Sequence, residues 1–216
     1  MLRTFDTFLT LSSVYPISFD TNVMKRSVSI FFILYSSIVT CQDLTEPSIL
    51  SASDDWGKEI IKFPIEWAPK LTLKGFEELR FAPFWSDPKS DQFWSLVMAW
   101  KVKASGKLTT KAIEDNFEAY FDGLMIPNHW ATTFPKPSVV LVQNPERNVP
   151  HSLIGKLKLF DGFHTGQRIT LNVQVEQHFC DTTHTSNIIF RLSPKYFEHA
   201  IWDELNNIVR KPTSCE

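Results

Sequence analysis

Glycine is scarce in this 216-residue chain, at 7 residues, and that scarcity removes most of the loops through which a backbone cradles phosphate groups. Nucleotide chemistry is therefore disfavoured. No P-loop, dinucleotide fingerprint, Gly-x-Ser-x-Gly elbow or His-Glu-x-x-His pair occurs in the sequence. An excess of basic charge is missing as well: 22 Lys and Arg against 24 Asp and Glu give a formal net charge of -2. Without a cationic footprint, nucleic acid is not an expected partner. Cysteine is limited to 3 residues, too few for a disulfide-built scaffold.

What the chain holds instead is large side chains. Hydrophobic residues make up 43% and aromatic residues 13%, with 18 Phe and 7 Trp, beside 21% charged residues. That balance describes a folded globular chain and excludes disorder. Its length predicts one domain of ordinary size.

Near the start, Met24-Lys25-Arg26, the uncharged run from Ser27 to Thr40 and Cys41-Gln42-Asp43 have the build of a bacterial export signal. Lys25 and Arg26 form its positive head. The apolar run is shorter than the roughly 20 residues a helix needs to cross a bilayer. Met24 is the expected start of translation, so 1–23 reads as a non-native upstream extension and 24–41 as the export signal. Residues 42–55, with Pro47, Ser48 and Asp54, read as a tether to one domain over 56–216. Ile38-Val39-Thr40-Cys41 resembles the lipobox of bacterial lipoproteins, with Thr40 where a smaller residue usually stands. The resemblance implies a lipid anchor at Cys41, the only membrane attachment expected; an ordinary signal-peptidase cut nearby is the alternative. Either way the address is exported: periplasm, outer-membrane-anchored or secreted. There Cys180 and Cys215 are free to oxidise and are predicted to pair.

Period-two alternation predicts strands at 58–67, 77–81 and 93–102. Pro64 pushes the first towards a sheet edge. In the third, Trp94, Leu96, Met98 and Trp100 are assigned to one face and Phe93, Val97 and Val102 to the other, so this strand is expected to be central and covered on both sides. A helix is predicted from Thr109 or Thr110 as N-cap, with Ile113, Phe117, Phe121 and Leu124 at helical spacing and Glu114 and Asp115 near its positive end. Gly123 weakens its last turn and Pro127 ends it. Four more strands follow at 138–143, 153–160, 168–178 and 187–192, with Asp161 to Gly166 as a hairpin turn and one face of 168–178 meeting solvent. A final helix is expected with Ser193 as N-cap, Pro194 in its first position, and Phe197, Ile201, Leu205 and Ile208 turned inward. The predicted class is α+β, a mostly antiparallel sheet of about six to seven strands with two main helices.

The densest aromatic and charged cluster combines Glu77, Glu78 and Arg80 with Trp85, Trp94 and Trp100. Paired carboxylates beside an arginine suit general acid/base chemistry. On a strand, however, Glu77 and Glu78 point to opposite faces, which favours an ion pair between Arg80 and Glu78. His178, Cys180 and His184 have metal-like spacing, but a fourth ligand is not evident and a disulfide would remove Cys180, so no metal and no cofactor is expected. His129, His151, His164 and His199 read as solvated surface.

Phe63-Pro64, Ala68-Pro69, Gly75, Glu77-Glu78-Leu79-Arg80-Phe81, Trp94-Ser95, Trp100 and Tyr120-Phe121-Asp122-Gly123-Leu124 together resemble uncharacterised small secreted proteins and lipoproteins of the Bacteroidetes type. No activity or functional residue comes with that resemblance. From the aromatic excess the expectation is a non-catalytic envelope protein that binds a small apolar ligand or a partner protein. Its candidate ligand-binding residues are Trp85, Trp94, Trp100, Trp130, Glu78 and Arg80. The alternative is a hydrolase-type enzyme using Glu77 or Glu78 with His178, with or without a metal.

Overall fold

Residues 47–126, 134–146, 149–150 and 152–215 are described by the computed structural model. The upstream extension, the export signal with Cys41 and the first part of the tether lie outside the described residues, as do His129, Trp130 and His151. No helix among the described residues is long and apolar enough to cross a membrane.

Alternating side chains give the strands β1 (Leu50–Ser51), β2 (Gly57–Phe63), β3 (Gly75–Phe81) and β4 (Leu96–Lys103), then the helix α1 (Thr110–Met125). The chain continues through β5 (Ser138–Gln143), β6 (Leu153–Asp161), β7 (Gln167–Cys180) and β8 (Thr185–Ser193), the short helix α2 (Ile201–Asn207) and β9 (Val209–Arg210). Seven strands form one antiparallel sheet in the order β2-β3-β4-β8-β7-β6-β5, and β1 pairs with β9 in a separate two-stranded ladder. This is an α+β fold dominated by sheet. The second helix is smaller than expected, because Ser193 stays in β8, paired with Asn172, and helical backbone begins only at Ile201. Ser193 still caps locally: its hydroxyl accepts from the Lys195 N–H at 3.2 Å.

β4 and β8 are buried on both faces. One face carries Leu96, Met98, Trp100 and Val102 of β4 with Ile188, Phe190 and Leu192 of β8, under α1. Val102 therefore sits beside Trp100 and not opposite it, as strict period two requires. Phe117 of α1 stacks on Phe190 at 4.3 Å, and Trp100 meets both Phe190 (4.8 Å) and Phe63 (5.9 Å). The other face carries Val97, Ala99 and Ile189 under α2 and the segment around Ile49 and Leu50. Ile49 and Leu50, within the stretch read as a tether, are thus packed: both are buried and Leu50 pairs with Arg210. Asn172 and Gln174 of β7 are covered too, so only part of its polar face meets solvent. Arg191 is buried on this side, where its guanidinium donates to the Leu205 and Ile208 carbonyls at the end of α2.

Thr109 caps α1, its hydroxyl accepting the Ala112 N–H at 3.2 Å. Glu114 does not serve the helix end; its carboxylate accepts the Leu141 N–H of β5 at 2.8 Å, and Glu118 accepts that of Val139 at 2.9 Å. Gly123 has a packing reason, since a Cβ there would lie 2.3 Å from the Trp67 carbonyl oxygen and 2.7 Å from Ala68 Cα. Cys180 and Cys215 form the predicted disulfide, with Cα atoms 5.4 Å apart and a sequence separation of 35.

Gly123→Ala is expected to destabilise the domain by about 1–3 kcal/mol, because the neighbouring atoms are backbone and cannot swing away; urea unfolding measures it. Reduction of the disulfide should lower stability by about 4 kcal/mol on the chain-entropy model, read as an earlier urea midpoint in reductant.

Candidate ligand-binding cleft

On the α1 side of the sheet, between the helix and the β2–β3–β4 end, lies a cleft of about 700 Å³. Its floor is sheet: Ile61 of β2, Leu79 and Phe81 of β3, and Leu96 and Met98 of β4. Tyr120, Phe121 and Leu124 of α1 line it, as does Trp67. Two loops add Trp85 with Trp94, and Phe163 with His164.

The first loop joins β3 to β4 and is tied at its neck by Ala82 N–H to the Ser95 carbonyl (3.1 Å) and Trp94 N–H to the Trp85 carbonyl (2.9 Å). Those bonds hold Trp94 at a φ of 50°. The left-handed region is rarely occupied by a bulky residue and costs on the order of 1–3 kcal/mol. Phe93 and Trp94 consequently leave the strand pattern, and both pack on the same core, against the alternation expected of them. Trp85 lies over Phe81 at 4.7 Å and meets Trp94 edge-on at 6.0 Å.

The second loop is the β6–β7 turn. Its buried Asp161 accepts the N–H groups of Phe163 (3.1 Å), His164 (3.2 Å) and Thr165 (2.9 Å), together with the Thr165 hydroxyl (2.7 Å). Four donors on one carboxylate fix the turn and aim Phe163 and His164 at the first loop. His164 is half-buried, 5.0 Å from the Trp85 ring and 6.3 Å from that of Trp94. The expectation of a solvated surface histidine is corrected here. A hint existed in the sequence, where Asp161 stands ahead of two bulky residues in a turn.

Polar groups in the cleft are few. Glu59 lines it and is exposed, and no Lys or Arg is among the described lining residues. Trp94 Nε1 and His164 Nε2 are shielded from water and have no hydrogen-bond partner among the described residues.

Glu77 lies on the cleft side of β3, paired across strands with Ile61 and Trp100, and is fully buried. Neither of its oxygens has a partner at hydrogen-bonding geometry among the described residues. Burial pushes its pKa well above the usual carboxylate range; Tyr120 and Trp100, near enough to favour the ionised form, offset only part of that, and the charge of Glu59 adds to the rise. Tyr120 is shifted in the same direction, by burial first and then by Glu77.

Glu78 points to the opposite face and is equally buried, but fully engaged. Arg80 bridges it at 2.8 Å, as the shared strand face predicts, and its oxygens accept the backbone N–H groups of Ile49 and Leu50 and the Ser48 hydroxyl. Glu78 and Arg80 therefore anchor the segment around Leu50 and do not line the cleft. Trp100 is core, at 0% exposure. Of the candidate ligand-binding residues within the described part, Trp85 and Trp94 are brought together at the cleft. His178 is exposed and lies on β7, three strand steps from β3, or about 14 Å at the usual spacing. It shares no face with Glu77, whose cross-strand row ends at Gln177. His178 lies close to Cys180 and Cys215, whose sulfurs are committed to the disulfide. His184 is exposed in the β7–β8 turn.

Glu78→Ala is expected to cost about 3 kcal/mol in urea unfolding, because it strips Arg80 and two backbone donors of their acceptor. Glu77 predicts a pH effect of defined sign. Its folded pKa is raised, so above an ordinary value near 4.5 the unfolded chain releases a proton that the folded chain keeps. Stability should fall as pH rises through that window. Glu77→Gln should flatten this dependence and unfold later than wild type at neutral pH; an unchanged profile would mean that Glu77 is not the group responsible.

Comparison of the chain with protein-family models, curated proteins and solved structures found no match, which leaves the geometry of the cleft as the guide to function.

Proposed function

We propose that this is a non-catalytic binding domain of the bacterial envelope that takes a small apolar ligand into the cleft between α1 and the β2–β3–β4 end of the sheet. The observation that carries the reading is the cleft itself: about 700 Å³, walled by aliphatic and aromatic side chains from separate elements, the loop residues Trp85 and Trp94 among them. Sites for small molecules have this size and this mostly apolar lining, with a few placed polar groups. Glu77 argues in the same direction, since it is fully buried, is not among the described residues that line the cleft and is remote from His178, so its carboxyl is closed to a substrate held there. Support for an exported address comes from the signal-like residues 24–41 and from the Cys180–Cys215 disulfide, a bond that persists in oxidising compartments. An anchor through Cys41 predicts that Cys41→Ala moves the protein from the membrane fraction to the soluble one.

Titration of the purified domain with the neutral apolar probe N-phenyl-1-naphthylamine tests the reading. Saturable quenching of tryptophan emission is expected. Trp85→Ala should weaken binding about fivefold or more, in line with roughly 1 kcal/mol for a lost aromatic contact. Trp202→Phe should leave the affinity unchanged, since Trp202 is buried on the opposite face of the sheet. Absence of saturable binding by the wild-type domain would overturn the proposal.

A further inference from the structure

His178 and Cys180 stand two residues apart on β7, which puts both side chains on one face of the strand. The fold supplies a third ligand type that local spacing did not: Cys215, from near the end of the chain, in the place expected of His184. A ring nitrogen of His178 and the sulfurs of Cys180 and Cys215 all lie within 4.8 Å of one another. Ligand atoms on one tetrahedral zinc stand about 3.5–3.8 Å apart, given bonds of roughly 2.3 Å to sulfur and roughly 2.0–2.1 Å to nitrogen. The three atoms are thus already near the spacing that one ion imposes.

The frame that holds them does not depend on the disulfide. Cys215 closes the short 3-10 turn Pro212–Cys215. Beside it the buried Ser214 accepts hydrogen bonds at its hydroxyl from Arg210 (2.6 Å) and Asn187 (3.3 Å), and its N–H donates to the Lys211 carbonyl at 3.1 Å. Lys211 in turn donates its N–H to the Ile49 carbonyl at 2.7 Å. Asn187 faces His178 across β7 and β8, and its amide also donates to the Cys180 sulfur at 3.4 Å. None of these bonds uses the S–S link, so they keep Cys215 beside Cys180 when it opens. An N–H aimed at a ligating sulfur is the kind of outer partner that orients a metal thiolate. His178 is exposed and Cys215 partly so, which gives an ion a way in.

We propose that His178, Cys180 and Cys215 form a redox-gated site for a thiophilic cation, Zn²⁺. None of the three is among the described residues that line the cleft, so the assignment is independent of the ligand-binding reading. While the disulfide stands, its sulfurs have no thiolate charge to offer and the site is closed. A dithiol reductant supplies two electrons and two protons: the S–S bond breaks, two thiols form, and the dithiol leaves as its own disulfide. Zn²⁺ then displaces both thiol protons, making two Zn–S bonds and one Zn–N bond to the neutral imidazole, with water in the fourth position. Re-oxidation reverses the capture. The thiolates pass two electrons to a disulfide oxidant, which takes two protons from solvent; the S–S bond re-forms and the ion is released.

Protein reduced with tris(2-carboxyethyl)phosphine, freed of the reductant under nitrogen and titrated with ZnCl₂ against a chromophoric chelator tests the site. One equivalent per chain is expected to bind, and none to the disulfide-bonded protein. Zn²⁺ should also move the urea midpoint of the reduced protein upward, which ties binding to the folded state. His178→Ala should weaken binding about tenfold or more, no less than the loss of an outer partner costs. His184→Asn should bind as wild type does. The comparison of reduced with disulfide-bonded wild type stands as a test even if a variant does not fold. Absence of zinc binding by the reduced protein, binding without a rise in the urea midpoint, equal binding by the disulfide-bonded protein, or unchanged affinity in His178→Ala would each overturn the assignment.

Discussion

Successive side chains of a strand point to opposite sides, and along most of β4 and β8 neither side reaches water. A sheet whose middle is apolar on both faces has to be covered twice, and the rest of the chain is arranged to do so. The larger face, with Trp100, Phe190 and Met98, takes α1 and the segment around Trp67 and Ala68. The smaller face, with Val97, Ala99 and Ile189, takes α2 and the residues around Leu50. Because α1 lies along the β5–β6 side, its far turn and the two flanking loops roof the β2–β3–β4 end incompletely, and the cleft is the space that results.

The pair Glu77 and Glu78 shows how one peptide bond separates two roles. Both carboxyls are buried, so desolvation acts on both. On the smaller face Glu78 finds a guanidinium and two backbone donors, and it ties the start of the domain to the sheet. On the larger face Glu77 finds aromatic rings, and burial holds it towards the neutral acid. Arg191 repeats the first solution with the opposite charge, closing α2 through carbonyls at the helix end. Glu78 and Arg191 on the smaller face are thus engaged and structural, whereas Glu77 on the larger face is left among aromatic rings without a hydrogen-bond partner among the described residues.

Much of the framework was legible in the residues. β5 spans the run that alternation marks, Thr109 caps where a threonine should, the disulfide joins the two cysteines left after Cys41, and Arg80 meets Glu78 across a shared strand face. What escaped was long-range or depended on backbone bends. Phe93 and Trp94 have strong strand character, yet the chain turns at Trp94, and no composition signal announces a positive φ in a tryptophan. Ser193-Pro194 carries a helix-start signature, but β8 keeps Ser193 in register with Asn172 and the helix waits until Ile201. The cleft draws on residues from 59 to 164, and only tertiary pairing brings Trp85 to His164. Trp100, by contrast, looks like a binding residue in sequence because an aromatic count does not distinguish a wall from a core.

The bonds from Glu114 and Glu118 to β5 have a consequence beyond the helix packing they accompany. β5 ends the sheet, and an end strand with outward N–H groups is a template on which another chain can grow. Here the N–H groups of Val139 and Leu141 are already taken by carboxylates of the same molecule. At the opposite end, β2 carries Lys58, Glu59 and Lys62 and is followed by Pro64, which has no N–H to offer. A domain with both ends guarded in this way can be crowded against its own copies without polymerising edge to edge.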